Sequence, residues 1–435
     1  MNLLTRQLTK RMVKFIDLFA GMDGTRCGFE LAAKELGVET QCVFTSEIKP
    51  HAIKALQQNH PGETIHGDIT QIDAKAIPDF DVLLGGFPCQ AFSTAGKRWR
   101  FADTRGTLFF EIERILKEKC PSGFLLENVE GLTIHDHGNT LRVILTHLTD
   151  LGYKVNYRVL NSKHFGVAQE RKRIYIVGTK NNVVSLNAFK NNKTEIKDIL
   201  QPNQPCSNSL FVKLLLENFT LEQLYGKAIK DKRGGTDNIH SRDIALRGPV
   251  NAEQTALLNS LLKERRKKIW AEKIGIDWMD GMPLTTKQIA TFCKADNLQA
   301  LLDDLTGKGY LKLEHPKRKV VRQNSNGTTT TQRVYDETKP KGYNIVAGKL
   351  SFEVSKVLNP NDLAPTLVAT DMQRLYVPDA GGLRKLTLRE GLRLFGYPED
   401  YRLDLPENEA FDLLGNTVVV PVINAISKRL IQQIF

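Results

Sequence analysis

Short apolar segments alternate with longer segments of helical periodicity over residues 14 to 180. The strand-like segments are KFIDLF, CVFTSE, DVLLGGF, FLLENV and RIYIVG, and the helical ones include TLFFEIERILKE and TLRVILTHLTDLG. Strands that alternate with helices are typical of a largely parallel sheet covered by helices on both faces. The pattern therefore predicts an α/β fold with a doubly wound sheet.

Glycines and acidic residues follow the ends of the first strands. KFIDLF leads past Phe19 into a turn with Gly21 and Gly24, Glu47 ends CVFTSE, and Asp68 ends a short strand in TIHGDIT. The carboxyl ends of parallel strands meet at one edge of a sheet, and a Gly-rich turn that opens a helix there is a nucleotide-binding pattern. Glu47 suits a ribose, Asp68 an exocyclic amine and Phe19 an adenine or sulfonium. We therefore expect a ligand that contains adenosine.

The segment GGFPCQAFS, at residues 85 to 93, follows the apolar run DVLL directly. Its cysteine, Cys89, lies in the turn where a strand meets a polar loop, a position typical of an exposed nucleophile. Free cysteines are also among the most buried residues, so this segment alone leaves a structural cysteine as an open alternative.

Five segments carry a resemblance to a known family. They are FIDLFAGMDGTRCGFE (15–30), GGFPCQAFS (85–93), FLLENV (124–129), QERKRIYIVG (169–178) and LLGNTVVVPVINAI (413–426). Their order and spacing resemble those of the cytosine-5 DNA methyltransferases of bacterial restriction-modification systems, over residues 14 to about 180 and 384 to 435. The resemblance implies an enzyme that transfers a methyl group from S-adenosylmethionine to carbon 5 of cytosine in a specific double-stranded DNA sequence.

The resemblance assigns the reaction to four residues. Carbon 5 of cytosine is a poor nucleophile, so a thiolate, here Cys89, must first add to carbon 6. Glu127, near the end of FLLENV, would then donate a proton or hydrogen bond to ring nitrogen 3. Arg171 and Arg173, two residues apart at the entrance of RIYIVG, are expected on one side of the sheet. The resemblance implies that they hold the glutamate and bind the carbonyl oxygen of the flipped cytosine.

The resemblance also implies a set of residues around S-adenosylmethionine: Phe19, Gly21, Gly24, Glu47, Ile48, Asp68, Ile69, Pro88, Leu108, Asn416 and Val418. The chain departs from the family at Asp23, where glycine is usual. An acid in this loop is tolerable beside a ligand with an ammonium, a sulfonium and no phosphate, and would be hostile to a pyrophosphate. Asn416 has a second interpretation, as the N-cap of the apolar helix that follows it.

DNA contacts are expected in three places. The loop after the proposed nucleophile is basic and carries Gln90, Ser93, Lys97, Arg98 and Arg105. A cytosine inside a duplex must be flipped out to react, and a mobile basic loop that folds over the phosphates would serve that step. Thr366 belongs to a Thr-Leu pair similar to one near the flipped-base pocket of the family, and Lys317, Arg318 and Lys319 form a basic turn.

The middle of the chain loses the alternation of strands and helices. Residues 181 to 380 contain 30 Lys and Arg against 22 Asp and Glu, which is most of the net charge of +12 on a chain whose pI is about 9.3. An excess of basic residues favours phosphate contact without specifying a sequence. The resemblance implies that this middle segment is the target-recognition domain. We therefore expect a catalytic and cofactor-binding domain at 1–180, the smaller target-recognition domain at 181–383, and a linking segment with a returning C-terminal helix at 384–435.

Residues 284 to 335 are expected to form a winged-helix-like part of the middle domain, with two helices, a strand and a basic hairpin. Leu298, Leu301 and Leu305 have the spacing of an amphipathic helix face. This would-be reading helix also carries Asp303 and Asp304, which phosphate repels, so the hairpin is favoured over the helix for DNA contact.

The remaining features limit where the protein acts. The chain has no apolar run of 18 or more residues and no secretory signal, and its six cysteines have no paired spacing. We therefore expect a protein of the bacterial cytoplasm with no membrane contact and no metal. We also expect a monomer, and the resemblance implies a separately encoded restriction endonuclease as its partner. Two alternatives stay open: a non-catalytic DNA-binding protein that senses S-adenosylmethionine, and a methyltransferase acting on RNA cytosine. The amino-acid sequence does not reveal which DNA sequence is recognised, because base contacts depend on how side chains are placed in the groove.

Overall fold

The structure is a computed structural model of the 435-residue chain, and it describes residues 12–88, 108–231, 238–323, 329–346, 352–369 and 371–435. The chain divides into two compact units. The first unit is Met1–Pro202, Asn359–Gln373 and Leu386–Phe435, and the second is Asn203–Leu358 and Arg374–Lys385.

The strands and helices of the described residues are as follows. The strands are β1 (Val13–Leu18), β2 (Thr40–Ser46), β3 (Ile65–His66), β4 (Val82–Gly86), β5 (Gly123–Val129), β6 (Lys154–Asn161), β7 (Lys172–Thr179), β8 (Ala228–Ile229), β9 (Asn238–Ile239), β10 (Leu311–Glu314), β11 (Lys317–Gln323), β12 (Thr329–Tyr335), β13 (Gly342–Ile345), β14 (Lys356–Val357), β15 (Leu375–Asp379) and β16 (Gly382–Lys385). The helices are α1 (Gly24–Glu35), α2 (Pro50–Asn59), α3 (Leu108–Lys119), α4 (Asn139–Asp150), α5 (Leu210–Asn218), α6 (Leu221–Leu224), α7 (Ala252–Glu264), α8 (Lys268–Ile274), α9 (Thr286–Ile289), α10 (Leu298–Gly307), α11 (Leu388–Phe395), α12 (Glu407–Asn416) and α13 (Val420–Ile434).

A seven-stranded sheet in the order β3-β2-β1-β4-β5-β7-β6 forms the centre of the first unit. Strands β1 to β5 are parallel to one another, and β7 runs antiparallel to β5 and β6. The chain builds outward from β1 to β3 and then crosses back to place β4 on the other side of β1. This order confirms the predicted doubly wound α/β class, and it puts the topological switch point between β1 and β4.

The central strands β1, β4 and β5 are buried because most of their residues are apolar or glycine. Ile16, Leu18, Leu83, Phe124 and Leu126 have no exposed side-chain surface, and the inner faces of α3 and α4 join the same core. Strands of a parallel sheet are covered on both faces, so they lack the alternation of polar and apolar residues seen in half-exposed strands.

The C-terminal helix packs against the first helix of the sheet. A Cβ atom on Gly28 of α1 would lie 2.6 Å from Cβ of Ile423 and 2.8 Å from the carbonyl oxygen of Val420, both in α13. Glycine is therefore required at residue 28, since any side chain would push the two helices apart.

The interpretation of Asn416 as an N-cap is wrong. Asn416 is the last residue of α12, and its side-chain amide donates to the carbonyl of Asp412 at 2.8 Å. Helix α13 begins at Val420, four residues later, with Pro421 in its first turn. Proline lacks the backbone N–H and has a helical φ, so it fits a first turn and moves the start of the helix past Asn416.

The second unit has two hydrophobic cores. One lies under the five-stranded sheet β16-β15-β14-β8-β9 and includes Phe211, Leu215, Val354 and Tyr376. The other joins α7 to α10 with β10 and β13. Residues 284–335 contain α9, α10, β10 and the β11–β12 hairpin, the order of elements expected from the sequence.

Among the described residues, no single helix has the length and apolar composition needed to cross a membrane. One bent pair, α12 with α13, meets that length and composition test only when the two helices are taken together.

We expect Gly28→Ala to destabilise the protein by about 1–3 kcal/mol, because an added methyl overpacks the contact between α1 and α13. Alanine is the better helix former by about 1 kcal/mol, so a loss of stability would come from packing and not from helix propensity. Urea unfolding of the full chain would measure the change. The control is Gly67→Ala, where nothing lies within 4 Å of an added Cβ. Equal stability of the two variants would contradict the close approach of the helices.

Candidate active site at the carboxyl edge of the sheet

Three acidic or aromatic residues follow neighbouring strand ends, as expected from the sequence. Phe19 follows β1, Glu47 follows β2, and Asp68 lies two residues beyond β3. The Glu47 carboxylate accepts hydrogen bonds from the backbone N–H groups of Gly21 at 2.7 Å and of Ile48 and Lys49 at 2.8 Å. It is therefore fixed between the Gly-rich loop and the end of β2.

Asp68 and the residues around it form the next part of this edge. One Asp68 oxygen accepts from the backbone N–H and the hydroxyl of Thr70, and the side chain is exposed. Ile69 beside it is buried, whereas Ile48 is 67% exposed. The exposed Ile48 side chain, which follows Glu47 in the chain, gives this edge an apolar surface.

The Gly-rich loop depends on an unusual backbone conformation. Phe19, Gly21 and Asp23 have φ values of 56°, 57° and 60°. Asp23 occupies the left-handed region, which aspartate adopts more readily than most residues. Its buried carboxylate is bonded to Nε2 of His60 at 2.7 Å. Burial raises the pKa of Asp23, and the contact with His60 opposes that shift. The departure from glycine is thus accommodated by His60, the residue that follows α2.

The C-terminal segment lies against this loop. A Cβ on Gly24 would lie 2.8 Å from both the Thr417 hydroxyl and a Val418 methyl, so only glycine allows the contact. Val418 is nearly buried, and Asn416 beside it is exposed. The structure therefore brings Val418 to the Gly-rich loop.

Two tyrosines that the sequence did not identify hold the same loop. The hydroxyl groups of Tyr397 and Tyr401 donate to the backbone carbonyl of Met22, at 3.1 and 2.7 Å. Both tyrosines lie in the segment FGYPEDY, which the sequence treated only as part of a linker. Their spacing of four residues is the one available signal, and it is too common to assign a role.

Six predicted site residues lie outside the described residues: Cys89, Gln90, Ser93, Lys97, Arg98 and Arg105. The described chain reaches Pro88, which is exposed, and resumes at Leu108, the first residue of α3. The buried side chain of Asn128 donates to the carbonyl of Phe87 at 2.9 Å. This bond ties the end of β5 to the segment that leads into Cys89, a role that the sequence did not assign to Asn128.

Glu127 and Arg173 form an ion pair at the end of β5. Oε1 of Glu127 is 3.2 Å from Nε of Arg173, and the two side chains are 12% and 14% exposed. Burial raises the pKa of Glu127, while the charges of Arg173 and then Arg171 oppose the shift. The carboxyl group is therefore held in place and keeps its proton to a higher pH than an exposed glutamate does.

Arg171 has a different set of partners from Arg173. It is 3% exposed, and its guanidinium donates to the backbone carbonyls of Leu367 at 2.8 Å, Thr417 at 3.0 Å and Gly415 at 3.2 Å. Burial lowers the pKa of Arg171 to about 10. The sequence assigned both arginines to the glutamate and the base, but the hydrogen bonds of Arg171 go to backbone. Its observed role is to join three distant segments beneath the site.

A cleft of about 490 Å³ opens beside the ion pair. Its lining residues are Val129, Glu130, Gly131, Glu170, Lys172, Arg173, Pro365 and Thr366. The Thr366 hydroxyl donates to the carbonyl of Glu170 at 2.8 Å. The structure thus places Thr366 and Arg173 on one cleft, whose volume is in the usual range for a small-ligand pocket.

The chain is similar to known proteins over nearly its whole length. The model of the family described as C-5 cytosine-specific DNA methylase matches residues 13–432. Type II methyltransferase M.NlaIV of Neisseria lactamica is 58% identical over 428 residues, which cover 97% of this chain and 99% of the relative. Type II methyltransferase M.NgoBV of Neisseria gonorrhoeae is 57% identical with the same coverage. The crystal structure of S. pombe Dnmt2 methyltransferase covers 97% of this chain and 99% of its own, at 16% identity and a TM-score of 0.51, which shows the fold alone.

We expect Arg173→Met to raise the pKa of Glu127 further, because the substitution removes the nearest charge that favours the carboxylate. Carbon-13 NMR titration of the glutamate carboxyl would measure the shift. The matched control is Lys172→Met, which removes the same charge from an exposed neighbour whose nearest acid is Glu130 at 4.0 Å. Equal titration of Glu127 in both variants would contradict a direct pairing with Arg173.

Proposed function

The chain belongs to the C-5 cytosine-specific DNA methylase family, and from this we propose that Cys89, Glu127 and Arg173 carry out its reaction. The enzyme is a DNA cytosine-5 methyltransferase with S-adenosylmethionine as methyl donor. Its relatives are Type II methyltransferases, so it acts as the modification enzyme of a restriction-modification system. The Glu127–Arg173 pair beside the segment that leads to Cys89 is the observation that supports the residue assignment.

The carboxyl edge of the sheet fits the methyl donor. When bound, S-adenosylmethionine supplies an electrophilic methyl group. We assign its ribose to Glu47, whose carboxylate is already oriented by three backbone N–H groups, and its adenine to Asp68 and the exposed Ile48. The buried Asp23 carboxylate in the loop disfavours a phosphate and not a cationic amino acid group. Phe19, Gly21, Gly24, Ile69, Pro88, Leu108, Asn416 and Val418 complete the proposed site.

The proposed chemistry begins at carbon 6 of cytosine. The Cys89 thiolate adds there, and the ring electrons shift toward nitrogen 3, where Glu127 donates its proton. Carbon 5 becomes nucleophilic and takes the methyl group. Loss of the carbon 5 proton, return of the proton from nitrogen 3 and departure of the thiolate restore the aromatic ring. Arg173 holds Glu127 in place, and we assign it a hydrogen bond to the carbonyl oxygen of the base.

The cleft beside the ion pair is the proposed pocket for the flipped cytosine. It contains Arg173 and Thr366 and lies at the end of β5, next to the Glu127 carboxyl. The loop residues Gln90, Ser93, Lys97, Arg98 and Arg105 are proposed to close over the DNA phosphates after flipping. Duplex DNA is the substrate, and the second unit, with Lys317, Arg318 and Lys319, is the proposed target-recognition domain.

The proposed oligomeric state, location and partner of the enzyme are those of a modification methyltransferase. We propose a monomer in the bacterial cytoplasm that works beside a separately encoded restriction endonuclease. The family and its Type II relatives favour DNA over an RNA substrate and catalysis over a cofactor-sensing role. Comparing methyl incorporation into duplex DNA and transfer RNA would separate the two substrates.

We expect host DNA to gain 5-methylcytosine in one sequence context when the chain is expressed, and Cys89→Ser to abolish it, because a hydroxyl is far less ionised than a thiol. Bisulfite sequencing would measure the methylation and reveal the recognised word. Calorimetry should show that the variant still binds S-adenosylhomocysteine. Methylation by the Cys89→Ser enzyme would remove this cysteine from the mechanism.

Fluorine in place of the carbon 5 hydrogen should block the last step, because fluorine does not leave as a cation. Duplex DNA with 5-fluorocytosine at the target should therefore trap a denaturation-resistant complex only when S-adenosylmethionine is present. Peptide mapping should locate the bond at Cys89 and find the transferred methyl group on the base. A bond to Cys27 or Cys120 instead, or complete turnover of the fluorinated DNA, would overturn the covalent route.

A further inference from the structure

Residues 252–345 of the second unit form a module with its own core and the order of elements of a winged helix. Helix α7 comes first, Leu284 then pairs with Tyr343 of β13, and helices α9 and α10 follow. Strand β10 also pairs with β13, and the β11–β12 hairpin between them is the wing. In the helix-turn-helix proteins, the second helix, here α10, is the one that enters the major groove.

The outer face of α10 is unsuited to that role. Asp303 bonds to the Gln299 amide at 2.8 Å and to the Tyr343 hydroxyl at 3.0 Å. Asp304 bonds to the Gln254 amide at 2.5 Å and to Lys308 at 2.6 Å. These side chains are already paired within the module, and their carboxylates would repel the DNA backbone.

Three of the five cations in the densest basic stretch of the sequence, residues 263–268, have partners within the module. Arg265 is buried and bonds to the Asn344 side chain at 2.6 Å. Arg266 pairs with Asp280 at 2.7 Å, and Lys267 pairs with Glu264 at 2.6 Å. The number of basic residues in this stretch is thus larger than the number of cations that are available to bind phosphate.

The two strands of the wing place cations next to each other on one face. Lys319 lies directly opposite Arg333 in the β11–β12 ladder, and Lys317 shares their face because side chains alternate along a strand. Lys317 and Arg333 are each engaged locally, the first over the Tyr335 ring at 4.7 Å and the second on the Trp278 carbonyl at 2.9 Å. Lys319 is exposed. Like charges directly opposite each other destabilise a hairpin, so an anion on this face would relieve the repulsion.

Arg318 lies on the opposite face of the wing, across from Val334. The Thr338 hydroxyl, and then the Arg318 charge, hold the pKa of the Asp336 carboxyl below its usual range. Arg318 therefore has an acidic neighbour, Asp336, within the module, and this neighbour weakens the attraction between Arg318 and a DNA phosphate.

We propose that the Lys319 face of the wing, with Arg333 and Lys317 beside Lys319, binds the phosphate backbone of duplex DNA, and that α10 stays out of the major groove. The inference rests on the proposed function, because duplex DNA is the substrate. Of the basic turn at Lys317, Arg318 and Lys319, only the face with Lys319 and Lys317 is assigned to DNA contact, and Arg333 is added to it. Helix α10 and residues 263–268 are not part of the proposed DNA contact. A phosphate contact of this kind raises affinity and sets position without reading bases.

The test compares Lys319→Gln with Lys268→Gln in the full-length enzyme. Lys268 is exposed, lies in the same module and carries the same charge, so it is the matched control. Fluorescence anisotropy with a duplex that contains the methylated site would give the binding constant across a salt series. For Lys319→Gln, the slope of log K against log salt should become shallower by about 0.9, the value for one phosphate contact. Lys268→Gln should leave the slope unchanged, and Arg318→Gln should change it by less than half as much as Lys319→Gln.

Several outcomes would overturn the inference. Equal slopes for Lys319→Gln and Lys268→Gln would show that only the overall charge matters. A change in the methylated word in Lys319→Gln would show that the wing reads bases. Thermal unfolding of each variant checks the fold, and methylation by the wild-type enzyme at saturating DNA tests the proposed function separately. If the wild type methylates DNA while the slopes are equal, only the assignment of the wing is lost.

Discussion

The reversal of strand order between β1 and β4 is the constraint on which the site depends. Parallel strands end at one edge of the sheet, and at a reversal the loops that follow two neighbouring strands diverge and leave a crevice. The loop after β1 carries Phe19 and the glycines, and the segment after β4 leads to Cys89. Strand β5, next to β4, adds Glu127. The topology of the sheet therefore brings the proposed donor site and the segment that leads to the proposed nucleophile to the same edge.

Buried polar side chains then hold this edge together, and most of their partners are backbone carbonyls. Arg171 bonds to the carbonyls of Leu367, Gly415 and Thr417, and the Tyr397 and Tyr401 hydroxyls bond to the carbonyl of Met22. A buried carbonyl or guanidinium without a partner is costly, so each of these bonds constrains the chain that supplies it. The C-terminal segment is in this way fixed to the start of the sheet.

Charge has separate uses in the two units. In the first, the Glu127–Arg173 pair is nearly buried, where a single charge shifts the protonation of its neighbour. In the second, the cations of the wing are on an exposed hairpin, where water and salt screen them. The first arrangement suits a proton transfer at one atom, and the second suits a salt-dependent contact with many equivalent phosphates.

The sequence by itself determined the elements and the chemistry at strand ends. Apolar runs and glycines are local signals, and they identified the parallel strands, the loop at Gly21 and Gly24, and Glu127 at the end of β5. The same signals predicted the two helices, strand and hairpin of residues 284–335, because amphipathic spacing needs no knowledge of distant contacts.

Only the tertiary structure determined the hydrogen-bond partners of the buried polar side chains. Arg171 meets residues about 200 and 245 positions away, and Tyr397 meets Met22 across 375 positions. Local periodicity does not reveal such contacts. Arg171 and Arg173, which the sequence places on one side of the sheet, therefore have different partners in the structure. The same reason explains Asn416, which ends a helix instead of beginning one, and Arg265, whose charge the sequence counts as available although the fold buries it against Asn344.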